Sequence, residues 1–597
     1  MKTIAIATLA LLIAFVNSQL TWFQCPLYTN KQVFVNETGH IVPSPQSEAA
    51  SNFTIYSAQC AHFPVPQDYS IPTGPNLLVF VKKIAKNLSS KPALWFLQDG
   101  PGVSSTSFES TLDNLKQRFG DQFDFYYVEH RGVGRSKRLS CSGPQAETVG
   151  SDGGVAITLK EFPACADALT IEVGANPDRY SSESAARDLK SIIQTVKQQT
   201  NQKQFVYGFS YGTLLAARLM QLENADAVVD GLILDTVFSS SSSDSDPTLR
   251  TTMDQIDSRY EQAGRDFLLR CNETELCRTK ITSDPYSYAQ TVVAKIANGT
   301  CGAITDKYNM TASELRSILN TFLKDASLRE VIPAVLYRLN RCDPDLDVLS
   351  IQKMLDYTRA RNQAQEFIPD DSPMLLHHIS LSELWSIPAP SVPYLEDQYN
   401  ITAFSSGSAI SIAQVRSITN WTTYTPSQAV FNKPLKTSKN VLLLNGGLDA
   451  RLAYAQQVKS NIGDNSRLLV FDNSTGSILL STVTNDPNEG LTCGAQIMMD
   501  FLLNNQDLAN VKTACMSNLR PLGFSGNKDL NLELFGTEDA FEGFYDPPEV
   551  VKTVNLYLFI GVEAGTAVLA IIIICSLVYY IVQLKDKEAY ENLDARQ

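Results

Sequence analysis

The stretch QFVYGFSYGTLLAARLMQLEN, residues 204–224, constrains the fold most. The apolar run QFVY enters a turn, GFSYG at 208–212, and the chain leaves in a helix-forming segment. G-x-S-x-G between a strand and a helix is the pattern that lifts a serine above the end of a sheet. The turn is sharp, and a side chain at Gly208 or Gly212 would collide with neighbouring backbone. Ser210 is therefore the candidate nucleophile, and the N–H of Tyr211 a candidate oxyanion donor.

Further short apolar runs bounded by Gly, Asp and Asn lie at 76–84, 93–97, 123–129, 230–237, 440–447 and 466–472. Most are near-continuous rather than alternating, as expected of a sheet buried on both faces. Helical patterns such as SESAARDLKSIIQTVKQQ (182–199) stand between them, with serines and Glu183 at the start as an N-terminal cap. Strand, helix, strand order predicts an α/β fold with a mostly parallel sheet. From the polar linker at 237–247 to about 440 no strand-like run occurs. This long stretch is predicted to be a helical cap inserted between strands six and seven.

The chain's 597 residues exceed one ordinary core, in keeping with a large domain carrying an insertion. A net charge of -14 argues against nucleic acid as a partner, because phosphate recognition needs a basic surface. MKTIAIATLALLIAFVNS reads as a signal peptide cut after Ser18. Ala564 to Leu584 is 21 residues without a charge, followed by Lys585 and Lys587, and is predicted to span a membrane as a helix. The expected topology is type I, in the secretory pathway at the cell surface or in endosomal and lysosomal membranes. Tyr590 and Leu593 in the tail form a Tyr-x-x-hydrophobic sorting pattern, and Gly561 with Gly565 forms a G-x-x-x-G pattern that would allow a dimer.

Ten cysteines lie outside the span: Cys25, Cys60, Cys141, Cys165, Cys271, Cys277, Cys301, Cys342, Cys493 and Cys515. An even number in an oxidising compartment predicts five disulfides. Sequence leaves the connectivity open; pairing neighbours in order is one solution. None has the CxxC spacing of a zinc or redox site, so no metal or cofactor is expected. Sequons at Asn36, Asn52, Asn87, Asn272, Asn298, Asn309, Asn400, Asn420 and Asn473 predict a glycosylated surface.

Two more segments complete a catalytic pattern. ALWFLQDGPG places a Gly-Pro-Gly turn directly after a strand, where the N–H of Gly100 can face a developing oxyanion. LLLNGGLDARLAY places Asp449 on a loop after a late strand, where the acid of a Ser, Asp, His order stands. With EHRGVGRS (129–136), the cap pattern YEQAGRDFLLRC and the loop GGLDAR, the chain resembles the α/β-hydrolase serine peptidases of the proline iminopeptidase and tripeptidyl aminopeptidase family, especially larger secreted protist-type members. The resemblance covers residues 25–505 and implies an α/β-hydrolase fold with Ser210 as nucleophile and Asp449 as acid.

One part of the family pattern is missing. A phenylalanine, a short loop and then the triad histidine are expected, but Phe471 to Ser477 reads FDNSTGS, which sets Gly476 in the histidine's place. All five histidines, His40, His62, His130, His377 and His378, precede Asp449, whereas the order requires one after it. Without a base the serine hydroxyl is a poor nucleophile, and losing one triad member lowers turnover by about 10⁴ to 10⁶. Two readings follow. In the first, the chain is a membrane-anchored, glycosylated serine-peptidase-like protein, inactive or impaired, that binds a peptide or protein through the cap cleft. In the second, it is an active aminopeptidase or tripeptidyl-peptidase-like exopeptidase using Ser210 and an unrecognised base. The expected division is signal peptide 1–18, core 19–237, cap 238–435, core 436–545, linker 546–555, transmembrane helix 556–584 and tail 585–597.

Overall fold

A computed structural model of the chain describes residues 20–29, 33–35, 41–43, 57–85, 91–148, 150–154, 156–243, 246–366, 370–486 and 490–545. The expected signal peptide, linker, membrane span with Gly561 and Gly565, tail with Tyr590 and Leu593, and sequons at Asn36, Asn52 and Asn87 lie outside those residues. Among the described residues no helix is long and apolar enough to cross a membrane.

Nine strands form one sheet: β1 (Phe23–Cys25), β2 (Ser57–Pro66), β3 (Asn76–Ala85), β4 (Ala93–Leu97), β5 (Asp124–Glu129), β6 (Gln204–Phe209), β7 (Gly231–Asp235), β8 (Val441–Gly446) and β9 (Ser466–Phe471). Their order is β1-β2-β3-β5-β4-β6-β7-β8-β9. The first three pairings, through β3 with β5, are antiparallel. The five from β5 with β4 to β8 with β9 are parallel. The near-continuous apolar runs have a plain cause. Trp95, Val206, Leu232 and Leu443 point to one core, while Phe96, Tyr207, Ile233 and Leu444 point to another on the opposite face. Both faces are covered, so neither half of the alternation is polar.

On the first face lie α1 (Ser182–Thr200) and α2 (Tyr211–Gln221). The Ser181 side chain caps α1 by accepting from the Ser184 N–H at 3.1 Å, and Asn201 ends it in the left-handed region. Leu189, Ile192, Ile193 and Val196 form the buried stripe of α1. Asp188 on the same helix is buried because Arg131 grips it through two hydrogen bonds, 2.7 and 2.6 Å.

Between β7 and β8 the chain is helical, as the sequence predicts. Within this sheet the insertion follows the seventh strand and not the sixth, and the edge strands β1 and β2 carry no near-continuous apolar run to betray them. The inserted helices divide between two cores. Within the insertion, α3 (Ile256–Asn272), α4 (Ala312–Lys324) and α5 (Ile332–Arg341) build a cluster of their own around Phe267, Leu319, Phe322 and Leu336. By contrast, α6 (Pro373–Glu383) places Met374, Leu375 and Ile379 in the core of the first sheet face. Beyond the insertion, α7 (Leu452–Ile462) and α8 (Cys493–Leu503) flank the sheet on opposite faces.

The C-terminal part of the segment expected in the core, 436–545, behaves differently. Phe524, Leu534, Phe535 and Phe541 pack into the cluster of α3, α4 and α5. Arg338 on α5 donates to the carbonyls of Ala540, Asp539 and Gly543, so this stretch is bound to the cap by backbone groups that no side-chain pattern announces.

All five disulfides join neighbouring cysteines in order: Cys25–Cys60, Cys141–Cys165, Cys271–Cys277, Cys301–Cys342 and Cys493–Cys515. Asn298, Asn309, Asn400, Asn420 and Asn473 are exposed, whereas Asn272 is half-buried and its amide donates to the Ser283 carbonyl at 3.2 Å.

Candidate active site

Ser210 sits between β6 and α2 at φ 53° and ψ -117°, a conformation that costs energy for any residue carrying a Cβ. The flanking glycines make the turn feasible. An added Cβ at Gly212 would lie 2.2 Å from the Leu97 carbonyl oxygen, and one at Gly208 would lie 2.6 Å from that of Gly212. The elbow is thus pressed onto the end of β4, which also supplies the Gly-Pro-Gly turn. A Cβ added at Gly100 would come within 3.6 Å of the Tyr211 ring, so the two expected oxyanion donors belong to adjoining segments. The Gly-Pro-Gly loop is held from the cap. Ser372 N–H donates to the Gly102 carbonyl at 2.7 Å, and Ser104 N–H donates to Asp371 at 2.7 Å.

Asp449 lies on the loop after β8, and its partners are unusual. Arg451 Nε donates to Oδ1 at 2.9 Å and Nη2 to Oδ2 at 3.1 Å, while the Arg451 backbone N–H also reaches Oδ1 at 2.8 Å. The same guanidinium donates through Nη1 to Ser210 Oγ at 2.8 Å. An arginine therefore bridges the serine and the aspartate. Burial alone would lower the Arg451 pKa; the Asp449 carboxylate, with Tyr260 and Asp99 nearby, outweighs it and holds the group above the ordinary arginine range. Sequence reasoning missed Arg451, although it stands two residues after the acid in GGLDAR, a spacing at which a turn folds its side chain back.

Gly476 completes the Asp449 shell, donating its N–H to Oδ2 at 2.9 Å. Its φ of 63° is one that glycine adopts freely. Asp235, at the end of β7, is a second acid that sequence reasoning missed. Its carboxylate accepts from the N–H groups of Ile478 and Leu479, both at 2.9 Å, and from the Tyr207 hydroxyl at 2.8 Å. Burial raises its pKa, and those hydrogen bonds oppose the rise. Asp235 fixes the segment after Gly476, and its own carbonyl accepts from Ser210 N–H at 3.0 Å.

No described histidine hydrogen-bonds Ser210 or Asp449. His130 Nδ1 faces the Arg131 carbonyl at 3.1 Å, and His377 Nδ1 faces that of Pro373 at 2.8 Å; burial pushes both pKa values down to about 4. His378 lies between the carbonyls of Pro177 and Thr422. His40 is outside the described residues.

A mostly parallel sheet, a serine elbow at the end of a central strand, a glycine loop on the neighbouring strand and an acid after a late strand form one pattern. The fold is that of the α/β hydrolases. The family described as alpha/beta hydrolase fold matches residues 92–322. Tripeptidyl aminopeptidase from Streptomyces lividans is 29% identical over 174 residues, 27% of this chain and 32% of that enzyme. The tripeptidyl aminopeptidase of Streptomyces coelicolor is 28% identical over 174 residues, 27% of this chain and 31% of that enzyme. The chain thus spans about a third of the length of the curated relatives it matches. Among solved structures, proline iminopeptidase from Mycobacterium smegmatis is similar over 75% of this chain and 100% of that one, with 13% identity and a TM-score of 0.34. On this fold, the elbow, the glycine loop and the acid stand in the expected chain order, and the contact that joins serine to acid is a guanidinium.

Proposed function

We propose that the chain is a membrane-anchored, glycosylated serine-peptidase-like protein whose catalysis is lost or severely impaired, and which binds a peptide or protein ligand through the cleft between core and cap. The observation that carries this reading is the Arg451 bridge. A triad needs, between serine and acid, a group that takes the serine proton and later returns it. Arginine stays protonated at every physiological pH and offers only donors. Placed against Ser210 Oγ, it occupies an oxygen lone pair and leaves the hydroxyl proton with no acceptor of its own to go to. Gly476, in the place the family gives to histidine, offers a backbone N–H instead of an imidazole.

The retained strain at Ser210 favours the second reading, an active exopeptidase with an unrecognised base, because such conformations cluster at working sites. The two separate on turnover. The full chain, assayed on aminoacyl and tripeptidyl amides, should show no hydrolysis that disappears in Ser210→Ala; Ser210-dependent turnover would establish the exopeptidase.

Anchoring rests on the uncharged run at 564–584, and glycosylation on the sequons, five of which have exposed asparagines among the described residues. The disulfides suit an oxidising compartment. Residence at the cell surface or in endosomal and lysosomal membranes follows from the span and the Tyr590 motif, and unchanged surface residence of Tyr590→Ala would count against that motif.

A further inference from the structure

Arg329 is a buried arginine that no described carboxylate pairs with; Arg316, equally buried, differs in having two of its N–H groups taken by the carbonyls of Thr402 and Asn400. It lies in the short turn Leu328–Val331 between α4 and α5, 7% exposed. Its Nη1 donates to Thr475 Oγ1 at 3.0 Å, while its Nε is fully buried and has no partner. The acids beside it are committed elsewhere. Both oxygens of Glu330 accept from Arg520 at 2.8 Å. Asp325 accepts from Arg361 at 3.1 Å through one oxygen, and from the Ser327 and Leu328 N–H groups through the other. Burial pushes the Arg329 pKa down to about 10, against the pull of Glu330 and Asp325 and with the push of Arg520. Taking a cation out of water without pairing it is costly, and a protein normally avoids it.

Arg329 forms part of the wall of a cavity of about 360 Å³, together with Arg520, Ser327, Asn473, Ser474 and Thr482. Glu330, already paired, and Asp472 also line it. We propose that this cavity is a binding site for a small oxyanion, a carboxylate or phosphate group, which pairs with the Arg329 guanidinium and is assisted by Arg520 and the surrounding hydroxyl and amide donors. The guanidinium fork matches such groups, and the volume exceeds that of a bare ion, in keeping with a small organic acid or phosphate ester. The molecule's net charge of -14 argues against polyanionic partners; at this wall two arginines, Arg329 and Arg520, stand against two carboxylates, Glu330 and Asp472, so the local balance is neutral. The site is also tied by hydrogen bonds to the segment that supports Asp449. Thr475, held by Arg329 and donating to the Leu323 carbonyl at 2.8 Å, precedes Gly476, whose N–H supports Asp449.

The test is thermal unfolding of the full glycosylated chain titrated with inorganic phosphate and, separately, with succinate, each against chloride at equal ionic strength. A saturable rise of about 1–3 °C at ten times Kd is expected for at least one probe, and the stronger probe assigns the group. The rise should vanish in Arg329→Met, persist in weakened form in Arg329→Lys, and be joined by an anion-free melting temperature of Arg329→Met no lower than that of the unmodified protein. No rise beyond chloride with either probe, or an equal rise in Arg329→Met, would overturn the proposal.

Discussion

At the scale of single residues, Arg451 is the side chain whose removal tells most. It and Asp449 are a buried pair, with side chains 6% and 2% exposed. Taking away one member leaves the other charge unpaired, so Arg451→Met should cost about 3–5 kcal/mol in chemical denaturation. A loss below about 1 kcal/mol would mean that Asp449 is supported mainly by Gly476 and its surroundings. The variant should gain no hydrolysis, because it frees Ser210 without supplying a base. Nor does restoring histidine at 476 rebuild a triad by itself: its Cβ would sit at a φ of 63°, 3.3 Å from the Lys324 carbonyl oxygen, and Arg451 would still hold the serine. Ser210, Asp449 and Gly476 were legible because each sits in a local motif. Arg451 was not, because only the folded-back turn after Asp449 shows which way a lone arginine points. Arg329 left no pattern either, since its isolation depends on which acids other arginines have claimed.

At the scale of elements, the sheet was legible wherever a strand is buried on both faces. The edge strands were not: β1 is three residues, and β2, SAQCAHFPVP, carries two prolines and no apolar run. The clasp of segment 370–372 on the glycine loop was likewise invisible, because backbone groups make most of it. This clasp carries a pH signature. Burial raises the Asp371 pKa to about 6, with Asp370 adding to the rise and the Ser104 N–H and Arg138 opposing it. A carboxyl that binds its proton more tightly when folded adds stability as pH falls from 7 toward 5 and loses it as pH rises through about 6. The melting temperature should therefore rise modestly between pH 7.5 and about 5.5, and Asp371→Asn should flatten that rise. Below about pH 4 the sign reverses. Glu542, held at about 2 by Lys280, Arg341 and Tyr337 against its own desolvation, loses those contacts as it protonates. A melting curve of Asp371→Asn that tracks the unmodified protein across pH 5.5–7.5 would refute the assignment.

At the scale of the whole molecule, the helical insertion has its own core and borrows the C-terminal stretch to complete it. Phe541 is 3% exposed in that cluster, and Phe541→Ala should cost about 3–5 kcal/mol. Proteolysis of this variant should begin in the cap while α1 and α2 stay protected; protection lost equally in both would mean that the two cores unfold as one. The sequence located the insertion by its want of strands, but not its partition, because hydrophobic periodicity shows which face of a helix is buried and not which neighbour covers it. The molecule thus keeps the architecture of a hydrolase, with its elbow, its glycine loop and its acid, around a serine bridged to that acid by a guanidinium. The most direct measurement is intact-mass detection of a fluorophosphonate adduct on the purified full chain, alongside Ser210→Ala. No adduct is expected on either protein at concentrations that fully label an active serine hydrolase. An adduct on the unmodified chain that is absent from Ser210→Ala would show an activated serine and contradict the loss of catalysis.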